Sequence, residues 1–354
     1  MEWGGSGQIQ GVRGKLCSGG PVKLARTRHG PPGKSLNRFP VFTWYGACPV
    51  RMMEELDTRA TATPPAAARV AGVAIGNPGR AILVAPGCTR LDVARHYERV
   101  APWLLPHLAP RPIRVAGCTG DRSDDGFLGG HSADEGGDDR EDAPPFLRLA
   151  ETADVVRAVQ NGACEFHTWG ASFPRLERPD RIVLDLDPDA PLAWSTLREA
   201  AEHVRALLDR LGLCGFAKTT GGTGLHVVLP ITRRHTWVEA RTFARALAQT
   251  LAAAHPALFT ATDAKEARAD RVHVDWRRNA HGATAVAAYS LRARPGLPLS
   301  MPVAWSELAD DVRGSHFGIA NAAGFLARRG ADPWADYESS RQTLSATLRR
   351  AVRA

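Results

Sequence analysis

From Val70 onward the apolar residues follow two spacings in turn, every second position and every third or fourth, and these spacings predict the elements. VAGVAIG (70–76) and AILVAPG (81–87) read as short strands. Thr89 then caps a helix over 90–105, on which Leu91, Ala94, Tyr97 and Ala101 recur at helical spacing. A helix is predicted over 152–160, leading into the strand CEFHTWGA (164–171). The apolar run Ile182–Leu184 makes a second strand, and an amphipathic helix over 192–211 follows. A glycine-rich turn between strands (218–230), a helix over 236–254 and the strands RVHVDW (271–276) and TAVAAYS (284–290) continue the alternation. A helical tail is expected to close the chain after Pro302, with 336–354 lying beyond the main domain. The order of elements predicts an α/β fold, and no internal repeat is visible.

Two stretches break the pattern. Residues 1–66 are rich in Gly, Pro, Arg and Ser without periodicity, so they are expected to be disordered; Met52 and Met53 offer an alternative start that would make them no part of the natural protein. The stretch 117–142 is rich in Gly and Asp and is expected to be a mobile acidic loop, with nine acids against two arginines between Asp121 and Asp142. The main domain is thus expected over 67–335.

Composition narrows the class. With 44% apolar residues and nine tryptophans in 354 residues, the chain has material for a real core. No apolar run reaches 18 residues and no secretory signal opens the chain, which points to a cytoplasmic protein with no membrane partner. The six cysteines lie far apart with no C-x-x-C pair, so neither structural zinc nor a disulfide framework is expected. The net charge of +8 suits a polyanion partner, and it equally suits an Arg-rich, Ala-rich composition.

The chemistry concentrates at strand ends. In RIVLDLDP, Asp185 and Asp187 share one strand face about 7 Å apart, while Leu184 and Leu186 take the other. Two carboxylates at 4 Å repel by roughly 4 kcal/mol at an effective dielectric near 20, so a cation between them is expected. The D-x-D pattern alone also fits exposed strand ends, phosphatases and sugar transferases. RVHVDW adds a third acid, Asp275, facing the side opposite Val272 and Val274. Three such acids suit a pair of Mg²⁺ or Mn²⁺ ions. KTTGGTGLHVV (218–228) lacks the G-K-[ST] of a Walker loop but offers backbone N–H groups for an anion, with Lys218, Thr220 and His226 as further donors; a plain hairpin with a packed histidine fits it too. Arg278, Arg292 and Arg294 follow, in a position suited to phosphate, and His167 fits either a site or a core.

In their order, EFHTWGA (165–171), ERPDRIVLDLDP (177–188), KTTGGTGLHVVLP (218–230) and VDWRRNAHGATAVAAYSLRARPG (274–296) resemble the polymerase domain of bacterial DNA ligase D, of the archaeo-eukaryotic primase superfamily. The resemblance spans about 70–335. It implies a primase-polymerase fold, with a central, mostly antiparallel sheet bearing the acids and helices flanking it. It implies nucleotide addition, ribonucleotides preferred, to 3′-hydroxyls at DNA break ends in non-homologous end joining. By the same resemblance Asp185, Asp187 and Asp275 hold two divalent cations. His167, Thr220, His226 and Arg292 then hold the NTP or dNTP, with Lys218 and Arg278 close by. Three departures stand out: Thr223 replaces a family lysine at the triphosphate, Arg90 replaces a lysine that meets a 5′-phosphate, and in FLGGH (127–131) only Phe127 survives of a template-facing group. No ligase motif fits in the chain, so a separate ligase and a Ku-type end-binding protein are implied partners. The competing expectations are a non-catalytic module that holds break ends and, last, a sugar transferase.

Overall fold

The structure, a computed structural model, describes residues 68–117, 146–189, 192–310, 314 and 316–352. These lie in one unit, Ala62–Ala354. The expectations for residues 1–66 and for nearly all of 117–142, Phe127 included, fall outside the described residues. In chain order the elements are β1 (Arg69–Val70), β2 (Val73–Ala74), α1 (Arg90–Leu108), β3 (Ile113–Gly117), α2 (Thr152–Gln160), β4 (Ala163–Trp169), β5 (Arg181–Pro188), α3 (Trp194–Arg210), β6 (Phe216–Thr219), β7 (Leu225–Pro230), α4 (Trp237–Ala254), β8 (Phe259–Thr260), β9 (Val272–Asp275), β10 (Thr284–Val286), β11 (Pro302–Val303), α5 (Ala322–Arg328) and α6 (Ala346–Ala351).

The main sheet has six strands in the order β11-β6-β7-β5-β9-β8, antiparallel throughout except where β8 runs parallel to β9. This is the expected sheet, with the acid-bearing strand β5 in its interior. Its apolar face carries Leu184, Leu186, Val227 and Leu229, all fully buried, and α3 and α4 pack on β5 from that side. α4 starts on a capping box, Thr236 with Glu239, and α1 on another, Thr89 with Asp92. These reciprocal bonds satisfy donors that a helix start would otherwise leave orphaned.

A second sheet, β10-β4-β3, is tied to the first by polar links from the C-terminal end of β4. Arg181, at the start of β5, donates to the Thr168 hydroxyl at 2.6 Å and to the Trp169 carbonyl at 2.5 Å. Arg111 donates to the same carbonyl and forms a 2.6 Å ion pair with Asp180, both side chains buried. Farther along, the Phe166 N–H donates to the Ser290 hydroxyl. Among the described residues no helix is long and apolar enough to cross a membrane.

Two expectations change here. The segments 70–76 and 81–87 are not full strands: the first is a two-residue-per-strand hairpin, because Ala71 and Gly72 take positive φ, and the second is turn with one bridge from Ala81 to Thr89. The C-terminal stretch is helical only over Ala346–Ala351 and is no tail. Tyr337, Leu344 and Val352 are buried in the main core, and Gln342 exchanges hydrogen bonds with the Cys214 backbone.

The Arg111–Asp180 pair gives a direct test. Burial raises the Asp180 carboxyl, but Arg111 and then Arg181 reverse this and hold it below its ordinary value. Asp180→Ala is expected to cost about 3–5 kcal/mol of unfolding free energy in urea, because Arg111 is left buried and unpaired. In the unaltered protein this stabilisation is complete above about pH 4 and fades as pH falls through the depressed folded value. A loss below about 1 kcal/mol would show the pair to be dispensable.

Candidate active site

The register of the main sheet brings four polar side chains into one row. Lys218 on β6 stands opposite His226 on β7, His226 opposite Asp185 on β5, and Asp185 opposite Asp275 on β9. Directly opposed residues share a sheet face with Cβ atoms about 4.5–5.5 Å apart, so the row crosses the face away from α3 and α4. One step along, Asp187 stands opposite His273. The acids that the sequence placed at separate strand ends therefore meet.

Basic side chains adjoin them. The His226 Nε2 lies 3.3 Å from Asp185 Oδ2. The half-exposed Arg278 places its Nε 3.2 Å from the same oxygen and 3.6 Å from Asp275 Oδ2, so it spans the two carboxylates. Burial raises the Asp185 carboxyl, yet the hydrogen-bonded His226, with Arg278 and Lys218, brings it well below its ordinary value. Asp187 goes the other way: burial and then repulsion from Asp185 raise it. Burial and then Lys218 push His226 down to about 4, so it is neutral at pH 7 and meets Asp185 as a hydrogen-bond donor. Lys218 is buried and donates to the Ser300 hydroxyl at 2.7 Å, and burial lowers its ammonium well below the ordinary value. Sequence reasoning offered Lys218 as a loop donor; the fold puts it inside the sheet behind His226.

The second arm of the site comes from β4 and the segment after β10. Glu165 and His167 share a face of β4, 2.5 Å apart, and Arg292 Nε lies 2.6 Å from the same Glu165 oxygen. The other Glu165 oxygen accepts from the Ala293 N–H at 2.8 Å. Burial raises the Glu165 carboxyl, but His167, Arg292 and the Ala293 N–H outweigh this and bring it to about 2. Arg292 also donates to the Thr220 carbonyl at 2.8 Å, which fastens this arm to the glycine loop. Glu165 went unassigned in the sequence, although a carboxylate two residues before His167 on one strand face was a legible signal.

In the loop itself, Thr220 donates its hydroxyl to the Gly224 carbonyl and accepts from the Gly222 N–H, so it shapes the turn. Gly221 takes φ +69, and a Cβ there would fall 2.6 Å from the Arg292 Cγ; one on Gly224 would fall 2.6 Å from the Leu186 carbonyl oxygen. The loop is thereby pressed onto both β5 and Arg292. Thr223 is exposed at its tip. Arg90 is largely buried and donates to the Gly76 carbonyl at 2.9 Å.

The donor set has the chemistry of a divalent-metal site. Three carboxylates are hard oxygen ligands of the kind Mg²⁺ and Mn²⁺ prefer, and the sheet register sets two of them, Asp185 and Asp275, directly opposite each other. The buried His226 Nδ1 has no partner among the described residues, which leaves a polar atom at the site to be satisfied. Against this, no three His, Cys, Asp or Glu side chains among the described residues are drawn into a ready ligand cluster, and Arg278 spans the two opposed acids. The residue types fit the metal; the side-chain conformations require Arg278 to yield.

Known proteins carry the same frame. Residues 89–334 match the family described as the LigD primase-polymerase domain. The multifunctional non-homologous end joining protein LigD of Pseudomonas aeruginosa is 41% identical over 304 residues, covering 80% of this chain and 35% of that protein. The LigD of Mycolicibacterium smegmatis is 31% identical over 248 residues, 67% of this chain and 32% of that protein. The chain thus spans about a third of the length of the curated relatives it matches. Among solved structures, the polymerase domain of Mycobacterium tuberculosis ligase D, determined in complex with DNA, superposes with a TM-score of 0.64 at 29% identity, covering 73% of this chain and 95% of that one.

The loop packing generates a prediction that needs no substrate. Gly224→Ala is expected to lower the unfolding free energy by about 1–3 kcal/mol, because the methyl meets backbone that cannot turn aside. Thr223→Ala at the exposed tip should stay within about 0.5 kcal/mol of the parent. Equal denaturation midpoints for the two variants would show that the loop is not pressed on β5.

Proposed function

Because this chain belongs to the LigD primase-polymerase family, we propose that it is a nucleotidyltransferase that adds nucleotides to 3′-hydroxyls at DNA break ends in non-homologous end joining. The observation that carries this reading is the opposition of Asp185 and Asp275, with Asp187 two residues on, in a row backed by His226 and Lys218. Asp185, Asp187 and Asp275 would hold two divalent cations, Mn²⁺ or Mg²⁺. Bound there, the ions supply Lewis-acid activation of the attacking and leaving oxygens.

The chain's own groups set the stage for that chemistry. The ladder keeps Asp185 ionised and oriented, since His226 donates to it and Lys218 sits behind. Glu165 locks Arg292 and His167 into one geometry beside the glycine loop, where a triphosphate would find backbone N–H donors and a fixed guanidinium. Arg278 is the cation that exchanges the acids for substrate phosphate. Ribonucleotides are preferred in this reading: a buried polar partner for the 2′-hydroxyl goes unpaired with a deoxynucleotide, at a cost of about 1–3 kcal/mol.

A second reading, a non-catalytic module that holds break ends, draws on the bridge Arg278 makes between Asp185 and Asp275. Primer extension with Mn²⁺ separates the two. Asp185→Ala, Asp187→Ala and Asp275→Ala are each expected to abolish extension while DNA affinity stays within a few-fold of the parent. Extension persisting in all three variants, or absent from the parent, would overturn the catalytic reading. On one primer, kcat/KM for ATP should exceed that for dATP several-fold; equal values would refute the ribonucleotide preference.

A further inference from the structure

Behind the carboxylate row, Trp276 follows Asp275 directly in the chain but meets α4. Arg241 and Arg245, one turn apart on the exposed side of α4, hold their guanidinium carbons 5.3 and 5.4 Å from the Trp276 ring centroid, and Arg277 holds its own at 6.0 Å. The half-buried indole is fixed by its Nε1 donating to the Ala261 carbonyl. Beside it opens a cavity of about 450 Å³ at the β8 edge of the main sheet, lined among others by Arg245, Gln249, Thr260, Arg271 and Trp276. Its lining carries three arginines and one acid, Asp263, and Asp263 is already engaged by Arg268 and Arg277. Among the described residues no carboxylate pairs with Arg245 or Arg271.

We propose that this Trp276 pocket is a second nucleic-acid contact, which seats a single strand with its phosphates on Arg241, Arg245 and Arg271 and a base against Trp276. Several features favour a nucleic-acid strand over an acidic peptide. The planar forks of arginine match phosphate bidentately, an indole among them offers a stacking surface that a carboxylate chain does not use, and the cavity has room for a base. The pocket lies at the sheet edge, where Asp263 of its lining meets His273 opposite Asp187, and it begins one residue from Asp275, so a strand held here would be anchored at the margin of the site without occupying it. The inference deepens the proposed function and rests on its reading of nucleic acid as the substrate class.

The test uses the full chain and a fluorescein-labelled single-stranded oligodeoxynucleotide, followed by anisotropy over a range of salt. The double variant Arg241→Glu with Arg245→Glu changes two exposed helix positions that lie against only the outer side of Trp276, so it is expected to fold, which its circular dichroism checks. It should bind the strand about tenfold or more weakly, and the slope of log affinity against log salt should become shallower by about 1.4, the value for two lost phosphate contacts on a single strand. Trp276→Ala should weaken binding about tenfold with little change in slope, since stacking is not ionic. Manganese-dependent binding of a fluorescent ribonucleoside triphosphate should be unchanged in the double variant. Unchanged strand affinity and slope in the double variant would overturn the proposal while leaving nucleotidyl transfer standing. Polyglutamate displacing the strand as well as unlabelled oligonucleotide does would overturn it in favour of an acidic peptide. Strand binding lost in the variants, with no nucleotide addition by the parent, would support the pocket and sink the proposed function instead.

Discussion

The site depends on strand pairing along β5. This strand is held on both edges, by six residue pairs with β7 and four with β9, and that double register places Asp185 between His226 and Asp275. A slip of one residue would turn Asp185 and Asp187 into the apolar layer under α3 and α4 and bring Leu184 and Leu186 out. Asn279 helps hold the register where β9 has ended: its side-chain amide donates to the Val183 carbonyl and accepts from the Val183 N–H, both at 2.8 Å, in place of a strand. Gathering these partly exposed acids is tolerable because Asp185 has His226 and Arg278 beside it and Asp275 has Arg278.

The smaller sheet extends the same logic. Arg181 and the Arg111–Asp180 pair fix β4 against the start of β5, which sets where Glu165 and His167 project. Glu165 in turn fixes Arg292, and Arg292 fixes the glycine loop through the Thr220 carbonyl. A chain of charged contacts therefore runs from the core to the loop. Its groups are ordered before any substrate arrives, which reduces the entropy lost on binding.

Much of this was legible in the residues. The α2 bounds agree with the periodicity, α1, α3 and α4 lie within a few residues of it, and the shared face of Asp185 and Asp187 follows from the strand period alone. Partners were not legible, because a period states which face a side chain takes and not which strand lies beside it. Lys218 therefore read as a loop donor rather than a buried member of the ladder, and Glu165 as part of a motif rather than the clamp on Arg292. The hydrogen bond from Arg90 to the Gly76 carbonyl, fourteen residues away, was not legible either. The short strands before α1 failed for a local reason: positive φ at Ala71 and Gly72 folds one apolar run back on itself.

The proposed function requires the row across β5 and β9, spanned by Arg278, to take up cations. A crystal structure of the protein soaked with Mn²⁺ and a non-hydrolysable ribonucleoside triphosphate, with data collected at the manganese absorption edge, addresses it directly. Anomalous density bounded by Asp185, Asp187 and Asp275 is expected, with the Arg278 guanidinium moved from these carboxylates toward the triphosphate. Manganese bound elsewhere, or Arg278 still bridging Asp185 and Asp275 with nucleotide present, would contradict it.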